Sequence, residues 1–271
     1  MYGLALCIAL TEASVPVMVA NPFAMRQFAG AIMRRAKTDR VDARVILEFA
    51  ERMPFAPWTA PSGPVRELRA LAARVQSLVE TRTAELNRLH AVRLDAKTPA
   101  AVLEDLEESV EELQKRAQKL ITTAHALIND SPELLAAYRA LTSAPGVGER
   151  SALQLLAHLL VLPSDMTPKQ VVAYAGLDPA AVQSGHYKKA SAHISRKGNA
   201  HVRSALYMPV LVATQHNAEF SAAYNAMLER GKPKKVAQVA LMRRLLQALW
   251  QMLRTKSAWD PLKFGSHARA A

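Results

Sequence analysis

From Pro179 through Ala218 the chain carries no carboxylate, yet it holds Lys188, Lys189, Arg196, Lys197 and Arg203. His186, His193 and His201 lie among them, and small residues (Ser184, Gly185, Ser191, Ser195, Gly198, Asn199) separate the cations. A segment of this kind offers backbone N–H groups and positive side chains together, and a phosphate is their natural counterpart. A solvated basic loop between helices has the same composition, so the residues alone leave both readings open. A second place with chemistry is the pair Asp39 and Asp42. Three residues apart on a helix, their carboxylates share one face, and two such acids can hold a divalent metal together with oxygens from elsewhere. Asp39 as a helix cap and Asp42 as a complement to the helix dipole explain the same spacing, and spacing alone favours that plainer account. A third is Pro145-Gly-Val-Gly148, set between two helical stretches. Glycines there let the backbone approach a DNA phosphate, with the next helix presenting its N-terminus. An ordinary helix–helix turn reads identically, and any DNA contact made this way reads no base sequence.

The totals narrow the partners. The chain has 271 residues, half of them apolar, a net charge of +12 and a pI near 10.0. That is enough for two domains and a real core, which excludes wholesale disorder. The positive excess points to nucleic acid or another anionic surface. No apolar run approaches the roughly 20 residues that span a bilayer, so no membrane association is expected. The single cysteine, Cys7, cannot pair within the chain, which suits a reducing cytoplasm; it lies in an apolar run and reads as a small core residue.

The elements that must position these residues follow from periodicity. Residues 3–11 read as a helix without a capped or charged lead-in, and Val15–Ala20 as a short buried strand closed by Asn21-Pro22. Residues 23–36 regain helical spacing, so the first 50 residues read as a partial α/β layer. Thr38 or Asp39 caps a helix with Val41, Val45, Ile46 and Phe49 on its buried side. Four prolines between residues 54 and 64 make that stretch a linker. Beyond it Leu68, Leu71, Val75 and Leu78, then Leu103, Leu106, Val110, Leu113, Ala117, Leu120, Ala124 and Leu127, follow three-four spacing. Lys97-Thr98-Pro99 interrupts them, so an antiparallel coiled-coil hairpin is predicted over 65–131. Its first arm is basic and its second acidic at Glu104–Glu108 and Glu111-Glu112, a match that serves pairing within one chain or between two. Short helices follow, one capped by Thr167 with Pro168 at its first position, then longer ones over 199–215, 218–230 and 236–255. Trp250 reads as core, and residues 257–271 as a fraying tail. A second basic cluster comprises Arg230, Lys232, Lys234, Lys235, Arg243 and Arg244.

Taken in order, Lys37-Thr-Asp-Arg-Val-Asp-Ala43, a long helical middle, Pro145-Gly-Val-Gly148, Gly176-Leu-Asp-Pro179, Ser184-Gly185 and Ile194-Ser-Arg-Lys-Gly-Asn199 with Arg203 resemble the DEDD transposases of the IS-one-ten insertion-sequence family, to which the Piv-type DNA invertases are related. The resemblance spans about Tyr2 to Arg254 and rests on the order and separation of the motifs rather than on any one of them. It implies an RNase H/RuvC-like domain with four metal-binding acids (residues 1–53), the linker 54–64, the coiled-coil hairpin 65–131 and a helical C-terminal transposase domain with a helix-hairpin-helix-like motif (132–256). It makes Asp39 and Asp42 the last two acids of the tetrad and ligands of Mg²⁺. It implies a serine that attacks a DNA phosphodiester: Ser184, with Ser195 as runner-up. Gly146, Gly148, Lys188, Lys189, Arg196, Lys197 and Arg203 become the nucleic-acid-binding set. The implied partners are DNA, a structured guide RNA and a second copy held through the coiled coil.

The family's first Asp and its Glu would precede Met1. The resemblance therefore implies a chain shortened at its N-terminus, lacking the first strands and two of four acids. The expected function is a DNA transposase/recombinase; the rival is an inactive chain that binds only DNA, RNA or a full-length transposase.

Overall fold

The computed structural model describes residues 3–33, 38–180, 183–184, 187–188 and 193–262. It is mostly helical and divides into two compact units, 1–61 and 62–271.

The first unit holds α1 (Gly3–Glu12), α2 (Pro22–Ala31) and α3 (Asp39–Arg52). Asn21 caps α2, its side chain accepting from the Phe23 N–H at 2.8 Å. Thr38 rather than Asp39 caps α3, its hydroxyl accepting from the Val41 N–H at 3.3 Å. Val45 and Phe49 are buried, and Phe49 meets Phe28 edge to face at 5.3 Å; Ile46, expected inside, is exposed. The strand expected at Val15–Ala20 does not form, and no strand occurs among the described residues of this unit. The segment is irregular, Val15 and Val19 are exposed, and the Pro-rich segment bonds to it through the Trp58 N–H to the Val17 carbonyl at 2.7 Å and the Ala56 N–H to the Met18 sulfur at 3.4 Å. A strand exists only by pairing along its length, and one backbone and one side-chain hydrogen bond from a Pro-rich segment do not supply that. The α/β layer is therefore corrected to helices and coil. Neither is α1 a buried helix: it has no buried residue, and Cys7 is half-buried.

The second unit begins with α4 (Gly63–Val92) and α5 (Ala100–Asp130), packed antiparallel along their length. The turn between them is tied by the Thr98 hydroxyl, which donates to the Val92 carbonyl at 2.8 Å. Near that turn Arg93 and Glu107 form an ion pair between the basic and acidic arms at 2.6 Å. Leu106, Leu113, Ala117 and Ala124 are buried as spaced, but further along the stripe moves by one residue, so that Ile121 and Ile128 are buried while Leu120 and Leu127 sit at its edge. That is the drift of a 3.6-residue helix against a strict heptad, and it occurs where α5 meets the main core. The N-terminal half of α4 enters that core as well, and the buried Gln154 side chain donates to the Ala72 carbonyl at 2.8 Å.

The core is closed by α6 (Pro132–Thr142), α7 (Glu149–Leu159), α8 (Pro168–Tyr174), α9 (Ala200–His216), α10 (Ala218–Glu229) and α11 (Lys234–Thr255). A capping box between Thr167 and Gln170 starts α8. Trp250 is buried as expected, its indole N–H donating to the Met166 carbonyl at 2.9 Å. Of the tail expected to fray, Trp259 stacks on the buried Phe220 at 5.9 Å and its backbone N–H donates to the Ser143 hydroxyl at 2.8 Å, while residues 263–271 lie outside the described residues. Between α8 and α9 lie two short antiparallel pairs, β1 (Pro179–Ala180) with β4 (His193–Ile194) and β2 (Gln183–Ser184) with β3 (Tyr187–Lys188). No helix among the described residues is long and apolar enough to cross a membrane.

Candidate nucleic-acid interface

The basic run is anchored by a backbone crossing. After α8 the chain turns at Gly176, whose φ of +64° favours glycine. It leaves along β1, returns along β4, and then lays residues 195–199 across the end of α8. A Cβ on Gly176 would sit 2.7 Å from the Gly198 nitrogen, and one on Gly198 would overlap the Tyr174 carbonyl. The crossing is stitched by the Asn199 N–H to the Tyr174 carbonyl (2.6 Å), the Arg196 N–H to the Gly176 carbonyl (3.1 Å) and the Ser195 N–H to the Asp178 carbonyl (2.8 Å). The Ser195 hydroxyl donates to the Asp178 carboxylate at 2.6 Å. Two motifs that are separate in sequence, Gly176–Pro179 and Ile194–Asn199, thus form one junction.

Asn199 is its hub. Its side-chain oxygen caps α9 by accepting from the His201 and Val202 N–H groups, while its amide nitrogen donates to the Tyr174 hydroxyl at 2.8 Å and lies 3.2 Å from Nδ1 of His158. The His158 ring stacks parallel to His201 at 5.5 Å. Burial, with the neighbouring His201 and Arg69, lowers the His158 pKa to about 4, so the ring is neutral near pH 7 and can accept from Asn199. Sequence reading finds Asn199 as a helix start but misses Asp178, Tyr174 and His158. The acceptor role of Asp178 leaves no trace in periodicity, and His158 is 41 residues from Asn199.

The predicted cations divide. Arg196 and Lys197 are exposed in the junction loop, Arg196 with a φ of +53°. Arg203 is part of the junction itself. Its guanidinium donates to the Ala175 carbonyl at 2.7 Å and the Gly198 carbonyl at 3.1 Å, and burial followed by the nearby Arg196 lowers its pKa. Lys188 pairs in register with Gln183, and Lys189 lies outside the described residues. Ser184 pairs in register with Tyr187, whereas Ser195 directly follows β4.

Pro145–Gly148 does join α6 to α7, but its glycines differ. Gly146 has a φ of +76°, and a Cβ there would collide with the carbonyl of Pro209 inside α9. Its lack of a side chain is explained by packing. Gly148 has open space around it, and Glu149, largely exposed, follows it at the start of α7.

Asp39 and Asp42 both lie exposed in the first turn of α3. Asp42 also borders a groove of about 920 Å³ lined chiefly by apolar residues, Met25, Val45 and Phe49 among them, with Arg26 on its wall. Carboxylate oxygens fit a hard cation in kind, but among the described residues no group of three or more His, Cys, Asp or Glu side chains comes together. Two carboxylates alone fall short of the six or so ligands such a cation takes.

Comparison with known proteins places these residues in context. A family model of DEDD transposases of the IS110 type matches residues 1–99, which include Asp39 and Asp42. A second, described as the transposase IS116/IS110/IS902 family, matches residues 138–225, which include Ser184 and the whole junction. The chain is 27% identical over 249 residues to the pilin gene-inverting protein of Moraxella lacunata, covering 90% of this chain and 74% of that one. The Moraxella bovis protein of the same name gives the same figures. An uncharacterized 43.6 kDa protein of insertion element IS110 from Streptomyces coelicolor is 30% identical over 120 residues, covering 44% of this chain and 29% of that one.

Proposed function

Because the chain belongs to the IS116/IS110/IS902 family of transposases, we propose that it cuts and rejoins DNA strands through Ser184. DNA is the partner its family implies. The single observation that carries this reading is the junction: Ser184 lies on a strand pair rooted between Gly176–Pro179 and Ile194–Asn199, with Arg196 and Lys197 exposed at the root. In the step proposed, the Ser184 hydroxyl oxygen bonds to phosphorus, the bond from phosphorus to the departing deoxyribose oxygen breaks, and the hydroxyl proton passes to that oxygen or to solvent. Arg196, Lys197 and Lys188 neutralise strand charge, and Gly148 offers a second backbone approach. Ser195 is the poorer candidate, since its hydroxyl is engaged by Asp178. Asp39 and Asp42 are proposed as part of an Mg²⁺ site; bound there, the ion would polarise phosphate oxygens. With two acids the donor set is incomplete.

Two partners are also proposed from the family likeness. A structured RNA would supply base-sequence recognition, since the junction offers cations and backbone rather than base-reading groups. A second copy would pair through the α4–α5 hairpin, whose seam leaves Leu86, Leu103 and Val110 only half-buried and Leu94 exposed.

The test is trapping of a covalent protein–DNA adduct on denaturing gels. It should form with the wild-type chain and vanish in Ser184→Ala; an adduct persisting in that variant removes Ser184 from the reaction. The rival is a chain that binds nucleic acid without chemistry. It predicts salt-sensitive binding and no adduct with any variant, with or without Mg²⁺.

A further inference from the structure

Three sides of α9 are covered, by α7, α10 and α11. Along the fourth, Ser204, Met208, Val212 and Gln215 are exposed in steps of four, four and three, with exposed Tyr207 three residues from Ser204 beside them, so they form one stripe. Its apolar members are large: Tyr207 is 47% exposed, Met208 54% and Val212 37%. The stripe starts beneath the junction loop, with Arg196, Lys197 and His201 exposed at its head, in a segment that has no carboxylate from Pro179 to Ala218.

We propose that this stripe is a platform for an unpaired DNA strand, the face of an unstacked base lying on Tyr207 and neighbouring phosphates on the Arg196–Lys197 loop. The inference rests on the nucleic-acid reading of the junction and deepens it. A duplex hides its base faces, so an exposed Tyr-Met-Val surface has no use for one, whereas stacking on an aromatic ring is how single strands are held alongside a positive groove. A second copy of the chain is a poor occupant, because it would bring its own carboxylate-free α9 to the same place. The eight residue steps from Asn199 to Tyr207 span about 12 Å of helix, within the reach of the roughly four or more nucleotides that a single-strand site holds. DNA is favoured over RNA because the strand attacked at Ser184 is DNA and the platform abuts the root of the strand pair that carries Ser184.

Binding of a labelled single-stranded DNA, its duplex and a single-stranded RNA to the full chain, measured by fluorescence anisotropy, tests this. Tyr207→Ala should weaken single-stranded DNA binding about ten-fold, Tyr207→Phe should stay within about two-fold of wild type, and duplex binding should not change. The salt dependence should be unaltered, because no phosphate contact is removed. Thermal melting of both variants should match wild type, since Tyr207 is exposed. Unchanged single-strand binding in Tyr207→Ala, or equal losses on single strand and duplex, overturns the proposal. A larger loss on RNA reassigns the occupant, and a changed sedimentation coefficient makes the stripe a protein contact; either result overturns it too. A wild-type chain that binds no nucleic acid at low salt overturns the nucleic-acid reading itself.

Discussion

The hydroxyl of Ser195 donates to the carboxylate of Asp178 at 2.6 Å, closing the base of the strand pairs that lead to Ser184. Two serines eleven positions apart therefore have separate parts, one structural and one proposed as chemical. Ser195→Ala should leave adduct formation with DNA within a few-fold of wild type while lowering stability, because a hydrogen bond to a charged group contributes about 1.5–3 kcal/mol. For a unit of this size that is a fall in Tm of roughly 3–10 °C, readable by thermal denaturation. If Ser195→Ala abolishes the adduct at unchanged stability, the roles are reversed.

The two glycines of the α6–α7 turn should part company in the same way. At Gly146 any side chain meets both a left-handed backbone and the Pro209 carbonyl, so Gly146→Ala should cost about 2 kcal/mol or more. Gly148 has a φ of −84° and nothing in the way, and Gly148→Ala should cost no more than about 1 kcal/mol, the usual penalty of Ala at a helix N-cap. If the turn approaches a phosphate, that variant binds duplex DNA several-fold more weakly. Unchanged affinity would leave Pro145–Gly148 as a helix–helix turn packed on α9, with Glu149 adding negative charge at the end where a phosphate would come.

Much of the fold is legible in the residues, and the failures have physical causes. Helix starts at Thr38, Thr167 and Asn199 are readable because caps are local, a side chain bonding a backbone two or three residues on. The run Val15–Ala20 misleads because β-branched and apolar residues mark a strand only when partners exist, and partners are a property of the rest of the fold. Arg203 reads as a phosphate contact because composition cannot distinguish a guanidinium facing solvent from one bonded to the Ala175 and Gly198 carbonyls. The network of His158, Tyr174 and Asn199 is invisible in sequence because it joins α7, α8 and α9 across 41 residues.

That distinction among the cations is measurable. Arg196 and Lys197 are exposed, and removing one cation from a phosphate should reduce the slope of log K against log salt by about 0.9 on duplex DNA. Combined Arg196→Ala and Lys197→Ala should therefore flatten it by up to about 2 with little change in Tm. Arg203→Ala should do the opposite, lowering Tm because its hydrogen bonds to two carbonyls at the junction disappear, and leaving the slope nearly intact. A double variant with wild-type slope would remove the 195–199 loop from the DNA-binding surface.

His158 gives the junction a pH dependence whose sign is fixed. In the folded chain its pKa is lowered from 6.5 to about 4, first by burial and then by His201 and Arg69. Between those values the unfolded chain binds a proton that the folded chain does not, so stability falls as pH drops from about 6.5 toward 4 and is fully present above that window. A single linked proton sets the slope at no more than about 1.4 kcal/mol per pH unit, and solvent contact of the ring reduces it. His158→Gln has no such proton, and its amide can still meet Asn199. Its Tm should therefore decline less between pH 6.5 and 4 than that of the wild type. The comparison isolates His158 from the carboxylates, which titrate in both proteins alike. Parallel Tm–pH curves for the two would show that the ring is not held neutral by the fold, and the acceptor role of His158 toward Asn199 would go with it.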